Sequence, residues 1–145
     1  MKIAITSDHG GNQLRKEIVQ LLSERGFDYE DFGPKTDESV DYPDYASTVC
    51  ESVVDGRFDR GILICGTGIG MSIAANKIKG IRCALVHDVF SAKATRGHND
   101  TNVLAMGERV IGAGLAREIV STWLDTSFEG GRHARRVEKL MKLED

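Results

Sequence analysis

Short apolar runs alternate along this chain with longer stretches whose apolar residues recur every three or four positions. Ile3 to Thr6 is the compact run expected of a strand buried on both faces. Gln13 to Arg25 carries Leu14, Ile18, Leu21 and Leu22 on one face and meets Gly26, which predicts a helix stopped by glycine. Phe27 to Phe32 predicts a second, more polar strand closed by Gly33-Pro34. Tyr42 to Val54 is helical again, through Tyr45, Ala46, Val49 and Val53. Gly61 to Cys65 is the clearest buried strand and runs straight into Gly66-Thr67-Gly68-Ile69-Gly70. A helix over Met71 to Ile78, a strand over Arg82 to Val86 and a short helix over Val89 to Arg96 come next. A strand over Asn102 to Met106 and helices over Val110 to Leu124 and Arg135 to Leu143 complete the pattern.

Strands separated by helices imply right-handed βαβ units, hence an α/β fold: a three-layer α/β/α sandwich around a Rossmann-like, five-stranded parallel sheet. With 145 residues and no repeat, linker or low-complexity tract, one domain spanning 1–145 is expected. Ligands of such sheets bind beyond the C-terminal ends of the strands. Asp8-His9-Gly10-Gly11 follows strand one, and Cys65 to Gly70 follows strand three. His98-Asn99-Asp100, in a polar loop between helix and strand five, is expected at that same edge.

The net charge of −3 and the absence of a basic block exclude an electrostatic footprint for nucleic acid or an anionic membrane. They leave room for a small anionic substrate held by a local arginine cluster. No apolar run approaches the length of a bilayer span, and Met1 to Thr6 turns polar too soon for a signal peptide. Three cysteines without metal-type spacing suggest a reducing compartment, so the cytoplasm is the expected location.

The segment Cys65 to Gly70 carries the strongest chemical signal. Its glycines let the backbone approach a ligand closely, and its amides lead into a helix N-terminus able to hold an anion or a developing enolate oxygen. The same positive end favours a thiolate at Cys65. A base beside oxyanion donors suits proton abstraction next to a carbonyl. Read alone, Cys65 is equally a small apolar strand end, and the glycines only a turn. The segment is neither a dinucleotide fingerprint, since Met71 stands where the third glycine belongs, nor a Walker A loop.

Asp8 and His9 could exchange protons with hydroxyls or contact a phosphate; equally, Asp8 caps the next helix and His9 is exposed. His98 could serve as a general acid or base, or be a surface loop residue. Arg132 and Arg136 are four apart and share a helical face, a geometry for gripping phosphate, against a reading as a solvated basic turn. Basic residues at a helix start oppose the dipole, which tilts the balance toward an anionic partner. Asp8, His9, Cys65 and His98 show no local ligand spacing, so no metal is expected.

These segments together resemble the type B ribose-5-phosphate isomerases, which belong with the galactose-6-phosphate and allose-6-phosphate isomerases. The resemblance covers essentially the whole chain. It rests on Ser7-Asp8-His9-Gly10-Gly11, Asp41-Tyr42-Pro43-Asp44-Tyr45-Ala46, Gly61 to Gly70 running into Ser72 to Lys77, His98-Asn99-Asp100-Thr101-Asn102, and Glu129-Gly130-Gly131-Arg132-His133. It implies an aldose–ketose isomerase working without metal or organic cofactor on a small sugar phosphate. By this resemblance Cys65 is the base, moving a proton between C1 and C2 through a cis-enediolate. Thr67 and the amides of Gly66, Gly68, Ile69 and Gly70 are the oxyanion holders. His98 opens the furanose ring, with Asp8 and Tyr42 near ring oxygen and hydroxyls, and Asn99 binds sugar. His9, Arg109, Arg132 and Arg136 match phosphate positions. Some members replace the cysteine by a glutamate just after the glycine loop; Met71 there places this chain in the cysteine branch. The resemblance further implies a homodimer or dimer of dimers with a shared active site, and a C-terminal helix near 132–143 that packs on the partner. A six-carbon substrate, or a non-catalytic phosphate- or nucleotide-binding module, are the alternatives.

Overall fold

A computed structural model describes all residues, Met1–Asp145. Five parallel strands form its single sheet: β1 Lys2–Ser7, β2 Asp28–Asp31, β3 Arg60–Cys65, β4 Cys83–Leu85 and β5 Val103–Gly107. Their lateral order is β2-β1-β3-β5-β4, so the chain reverses its direction of travel across the sheet between β1 and β3. In register, Ser7 lies beside Ile64 and Cys65 beside Gly107. The central strands β3 and β5 are buried almost throughout, whereas the edge strand β2 reads Asp-Tyr-Glu-Asp and is largely exposed.

Six α-helices accompany the sheet: α1 Asn12–Glu24, α2 Tyr42–Val54, α3 Ile69–Asn76, α4 Val89–Asn99, α5 Ala113–Asp125 and α6 Arg132–Met141. Helices α1, α4 and α5 cover one face, where Ile5, Ile18, Leu22, Ile62, Leu104, Ile119 and Trp123 pack together. Helices α2 and α3 cover the other, with Val49, Cys50, Leu63, Met71 and Val103 in the second cluster. The expected three-layer α/β/α sandwich is the fold observed. α6 buries none of its residues; its first turn lies against the end of α4.

Several boundaries differ from the sequence expectation, among them the start of α5, at Ala113 rather than Val110. α3 begins at Ile69, inside the glycine loop, rather than at Met71. α4 continues to Asn99 instead of ending at Arg96, so His98 is a residue of the last helical turn and not of a loop. α6 starts at Arg132, ahead of its first apolar contact residue.

The layers on the α5 face converge on Trp123, which is fully buried and donates its indole N–H to Thr101 Oγ1 at 3.0 Å. Removing that ring leaves a cavity and takes away the donor to the Thr101 hydroxyl. Trp123→Ala should cost about 3–5 kcal/mol of stability, measured as a shifted urea midpoint by circular dichroism. A loss under about 1 kcal/mol would show that the site collapses around the gap.

Candidate active site

The crevice between the C-terminal ends of β1 and β3 is the switch point of the sheet, where doubly wound folds bind ligands. Asp8 directly follows β1 there; its amide donates to Ile64 O at 3.1 Å, which ties it to the neighbouring strand. Its Oδ1 accepts from Gly10 N at 2.8 Å and caps the single 3₁₀ turn His9–Gly11. The capping reading of Asp8 is therefore the local one, and the nearly buried carboxylate is held at the floor of the crevice. His9 is exposed, and its Nδ1 accepts from Val40 N at 3.2 Å, which leaves the proton on Nε2.

Cys65 ends β3 on the other side. Its Sγ accepts a hydrogen bond from Gly68 N at 3.0 Å. That contact requires the loop to curl back, which Gly68 does at φ 76, in the left-handed region, as the N-cap of α3. A Cβ on Gly68 would also lie 2.6 Å from Leu85 Cδ1 and 2.8 Å from the Met106 carbonyl carbon. Sulfur accepts such a bond far better as thiolate than as thiol. Thr67 is exposed, and its Oγ1 accepts from Ile69 N at 3.2 Å. The turn after β5 is fastened to this loop by Glu108 N to Cys65 O and Arg109 N to Gly66 O, at 2.9 and 3.0 Å. The Arg109 guanidinium lies over Gly66, and the Tyr42 ring, from the first turn of α2, lies against Gly70.

One edge thus collects Asp8, His9, Tyr42, Cys65, Gly66 to Gly70 and Arg109. The other two cysteines are of a different kind. Burial pushes the Cys50 thiol up to about 12, with Glu51 adding to the effect, and burial also pushes Cys83 up. Both are apolar neighbours of the core rather than nucleophiles.

The expectation that His98 and Asn99 share this edge is not met. α4 leaves the C-terminal end of β4 and returns the chain to the N-terminal end of β5, so its last turn lies at the opposite edge of the sheet. A loop that leads from a helix into a strand always sits there. The 11 residues of α4, at ~1.5 Å each, put about 16 Å between its two ends. Arg132 and Arg136 accompany His98, because Glu129 N donates to Gly97 O at 3.0 Å and brings α6 to the end of α4. His98, Asn99, His133, Arg136, Val137 and Leu140 line a shallow cavity of about 380 Å³. Within one chain the site residues therefore form two groups at opposite sheet edges. Arg109, Arg132 and Arg136 are all exposed and form no ion pair within the chain.

The ligand atoms of His98, Glu129 and His133 lie within 4.8 Å of one another. The His98 and His133 rings stack at 4.2 Å between centroids and 7° between planes, so their in-plane lone pairs run side by side rather than converging on an ion. The set weighed from sequence, Asp8, His9, Cys65 and His98, is divided between the two edges and does not converge either.

Sequence reading missed His87. It follows β4 at the crevice edge, and its Nε2 accepts from Gly107 N at 2.9 Å. Gly107 packs directly against the Thr67 backbone, so this imidazole supports the glycine loop from behind. Its position just after a strand was the available signal.

A doubly wound α/β chain with a thiol, glycine-loop amides and free arginines at its functional edges is equipped for chemistry on small anionic carbonyl compounds. Comparison makes the class specific: residues 3–140 match the Ribose/Galactose Isomerase family, and the chain belongs to it. Ribose-5-phosphate isomerase B of Escherichia coli strain K12 is 52% identical over 143 residues, covering 99% of this chain and 96% of that protein. D-erythrulose-4-phosphate isomerase of Pectobacterium atrosepticum is 46% identical, covering 97% and 93%. The structure of Clostridium thermocellum ribose-5-phosphate isomerase B superposes with a TM-score of 0.97 at 55% identity, covering 99% of this chain and 97% of that one. The chain is accordingly an isomerase of the sugar-phosphate class.

Burial holds the His87 pKa below its ordinary value, with Asp88 pulling weakly the other way. The folded state therefore prefers the neutral ring, which accepts from Gly107. The unfolded chain binds more protons below about pH 6.5, so this contribution is intact above that value and is lost as pH falls below it, through the lowered pKa of the folded ring. Tm should drop between pH 7 and 5 more steeply in wild type than in His87→Gln, whose acceptor does not titrate. Parallel curves in a thermal melt series would remove His87 from that role.

Proposed function

We propose that this chain interconverts D-ribose 5-phosphate and D-ribulose 5-phosphate, with Cys65 as the base. The observation that carries the reading is the Cys65 sulfur at the switch point, held by the Gly68 amide at 3.0 Å amid loop amides that can receive an enediolate oxygen. In the forward direction the thiolate removes the proton from C2 of the open aldose. The C2–H electrons form the C1–C2 double bond, and the carbonyl electrons go to O1. The cis-enediolate is stabilised by the amides of Gly66, Gly68, Ile69 and Gly70 and by Thr67. The O2 proton then passes to O1, the O2–H electrons form the C2=O2 carbonyl, and the C1–C2 double-bond pair takes the proton of the Cys65 thiol at C1, giving the ketose. No electron leaves the sugar, so the residues suffice without metal or organic cofactor.

Ring opening precedes this step, with His98 acting on the anomeric hydroxyl and Asp8 and Tyr42 contacting ring oxygen and hydroxyls. Asn99 contacts the sugar, and His9, Arg109, Arg132 and Arg136 hold the phosphate. Fixing the phosphate supplies binding energy that aligns C1 and C2 with the sulfur.

The two groups must then come from two copies of the chain, one giving the Cys65 edge and the other the His98 edge. Two apolar surfaces support such a homodimer. Ile69 and Ile73 of α3 are 51% and 56% exposed beside the glycine loop, and Leu140 and Leu143 are 46% and 81% exposed on α6 and just beyond it. Helix α6, which has no buried residue, packs on the partner in this reading. All three cysteines are unpaired thiols, which suits the reducing cytoplasm, the compartment we assign.

Purified protein should convert ribose 5-phosphate to ribulose 5-phosphate in the presence of a chelator. Cys65→Ala should lose activity by at least about a thousandfold, since the base and nothing else is removed, with its circular dichroism unchanged. Retained turnover would dismiss the thiol as base. A series of four-, five- and six-carbon aldose phosphates, compared by kcat/KM, should peak at five carbons; a peak at six would assign the enzyme to allose or galactose 6-phosphate.

Mixing inactive Cys65→Ala with inactive Arg132→Ala subunits should restore activity, because each hybrid dimer contains one intact composite site. Recovery near a quarter of wild type is the statistical expectation for one good site in half of the dimers. A mixture as inactive as its components, after exchange is verified by mass spectrometry, would place each site within a single chain.

A further inference from the structure

His98 is given the ring-opening proton transfer above, yet its imidazole sits on a half-exposed helix end with no core packing to hold it. What fixes it comes from the segment before α6. Glu129 Oε2 lies 3.2 Å from His98 Nε2. The Glu129 amide is itself anchored on Gly97 O at 3.0 Å, one residue before the histidine. The carboxylate reaches the ring across the face of Gly97: a Cβ there would stand 2.5 Å from Oε2. On the other side His133, from the first turn of α6, stacks on the imidazole at 4.2 Å and nearly parallel. The ring therefore has a carboxylate beside one nitrogen and a second imidazole across one face.

We propose that Glu129 is the positioning residue of the isomerase, holding His98 in the tautomer with Nε2 protonated and Nδ1 free for the sugar, and that residue 97 is glycine to admit its carboxylate. This rests on the ring-opening role assigned to His98. An ionised carboxylate only accepts, so with Oε2 at 3.2 Å a neutral His98 ring is favoured with its proton on Nε2. Nδ1 then takes the proton from the anomeric O1–H. The O1–H pair becomes the C1=O1 bond, the C1–O4 bond breaks toward O4, and Nδ1 returns the proton to O4. Protons and electrons balance within the sugar, and the imidazole ends in its starting form. With side-chain exposures of 47% and 59%, the His98–Glu129 pair lies in water, where such contacts add little to stability. Orientation is the effect left to it.

The test separates ring opening from enolisation. Ribulose 5-phosphate is acyclic, so exchange of its C1 proton in deuterium oxide needs the base but no ring opening. Glu129→Ala should lower turnover of ribose 5-phosphate roughly tenfold and leave the exchange rate within about twofold. Glu129→Gln, which keeps an acceptor oxygen, should recover most of the loss. Gly97→Ala should reproduce the defect with the carboxylate still present. Histidine-ring ¹⁵N–¹H correlation spectra should show His98 protonated at Nε2 in wild type and a mixture of tautomers in Glu129→Ala. Equal loss of turnover and exchange, or an unchanged His98 tautomer in Glu129→Ala, would overturn the proposal. A wild type that enolises no pentose phosphate would instead overturn the assigned activity, while the spectra would still decide the role of Glu129.

Discussion

The short reach from Gly68 N to Cys65 Sγ organises the C-terminal edge of this sheet. It exists because a strand ends at a thiol and the next three residues turn back on it, with the third in a left-handed conformation. Every other contact of the loop assumes that turn. Met106 and Leu85 close over Gly68, Thr67 lies on Gly107, and the chain after β5 is bonded to the carbonyls of Cys65 and Gly66. The amide that holds the sulfur also begins α3, so one backbone group serves the helix, the loop and the thiol.

The division of polar residues between two sheet edges follows from the same connectivity. A parallel sheet sends every strand-to-helix junction to one side and every helix-to-strand junction to the other. Residues at both kinds of junction cannot meet within one layer of strands. A family site that uses both requires a second chain, and the exposed isoleucines of α3 and the unburied α6 are where such a chain would find apolar surface. In the proposed reading, chemistry and assembly are one constraint.

Much of this was legible in the sequence. The periodic positions of α2 gave its limits without error, Tyr42 to Val54, and the apolar run before Cys65 marked the central strand to within one residue. What failed did so where side chains other than apolar ones decide the structure. α4 outruns its apolar pattern because Arg96, buried in its last turn, donates from Nη1 to Asp100 Oδ1 and Thr101 O at 3.0 and 2.6 Å. A buried charge held by the residues that follow it has no periodic signature. α6 was dated late because its first turn holds only basic and small residues. The edge on which His98 falls does follow from the element order, since a helix-to-strand junction lies opposite the strand-to-helix ones, whereas Glu129 carried no signal of its own beyond its place in a motif.

The lateral order of the strands has a consequence for how the chain is made. β4 has no neighbour in the sheet except β5, and β5 lies between it and β3. During synthesis the ribosome therefore releases β4 before the strand that must separate it from β3 exists. Until residues 103–107 emerge, any sheet made by β1, β2 and β3 would have the side of β3 uncapped, and the short Cys-Ala-Leu segment would have to stay off that vacant side. Three residues are too few to hold such a misplaced pairing, and the brevity of β4 keeps the vacancy open for β5.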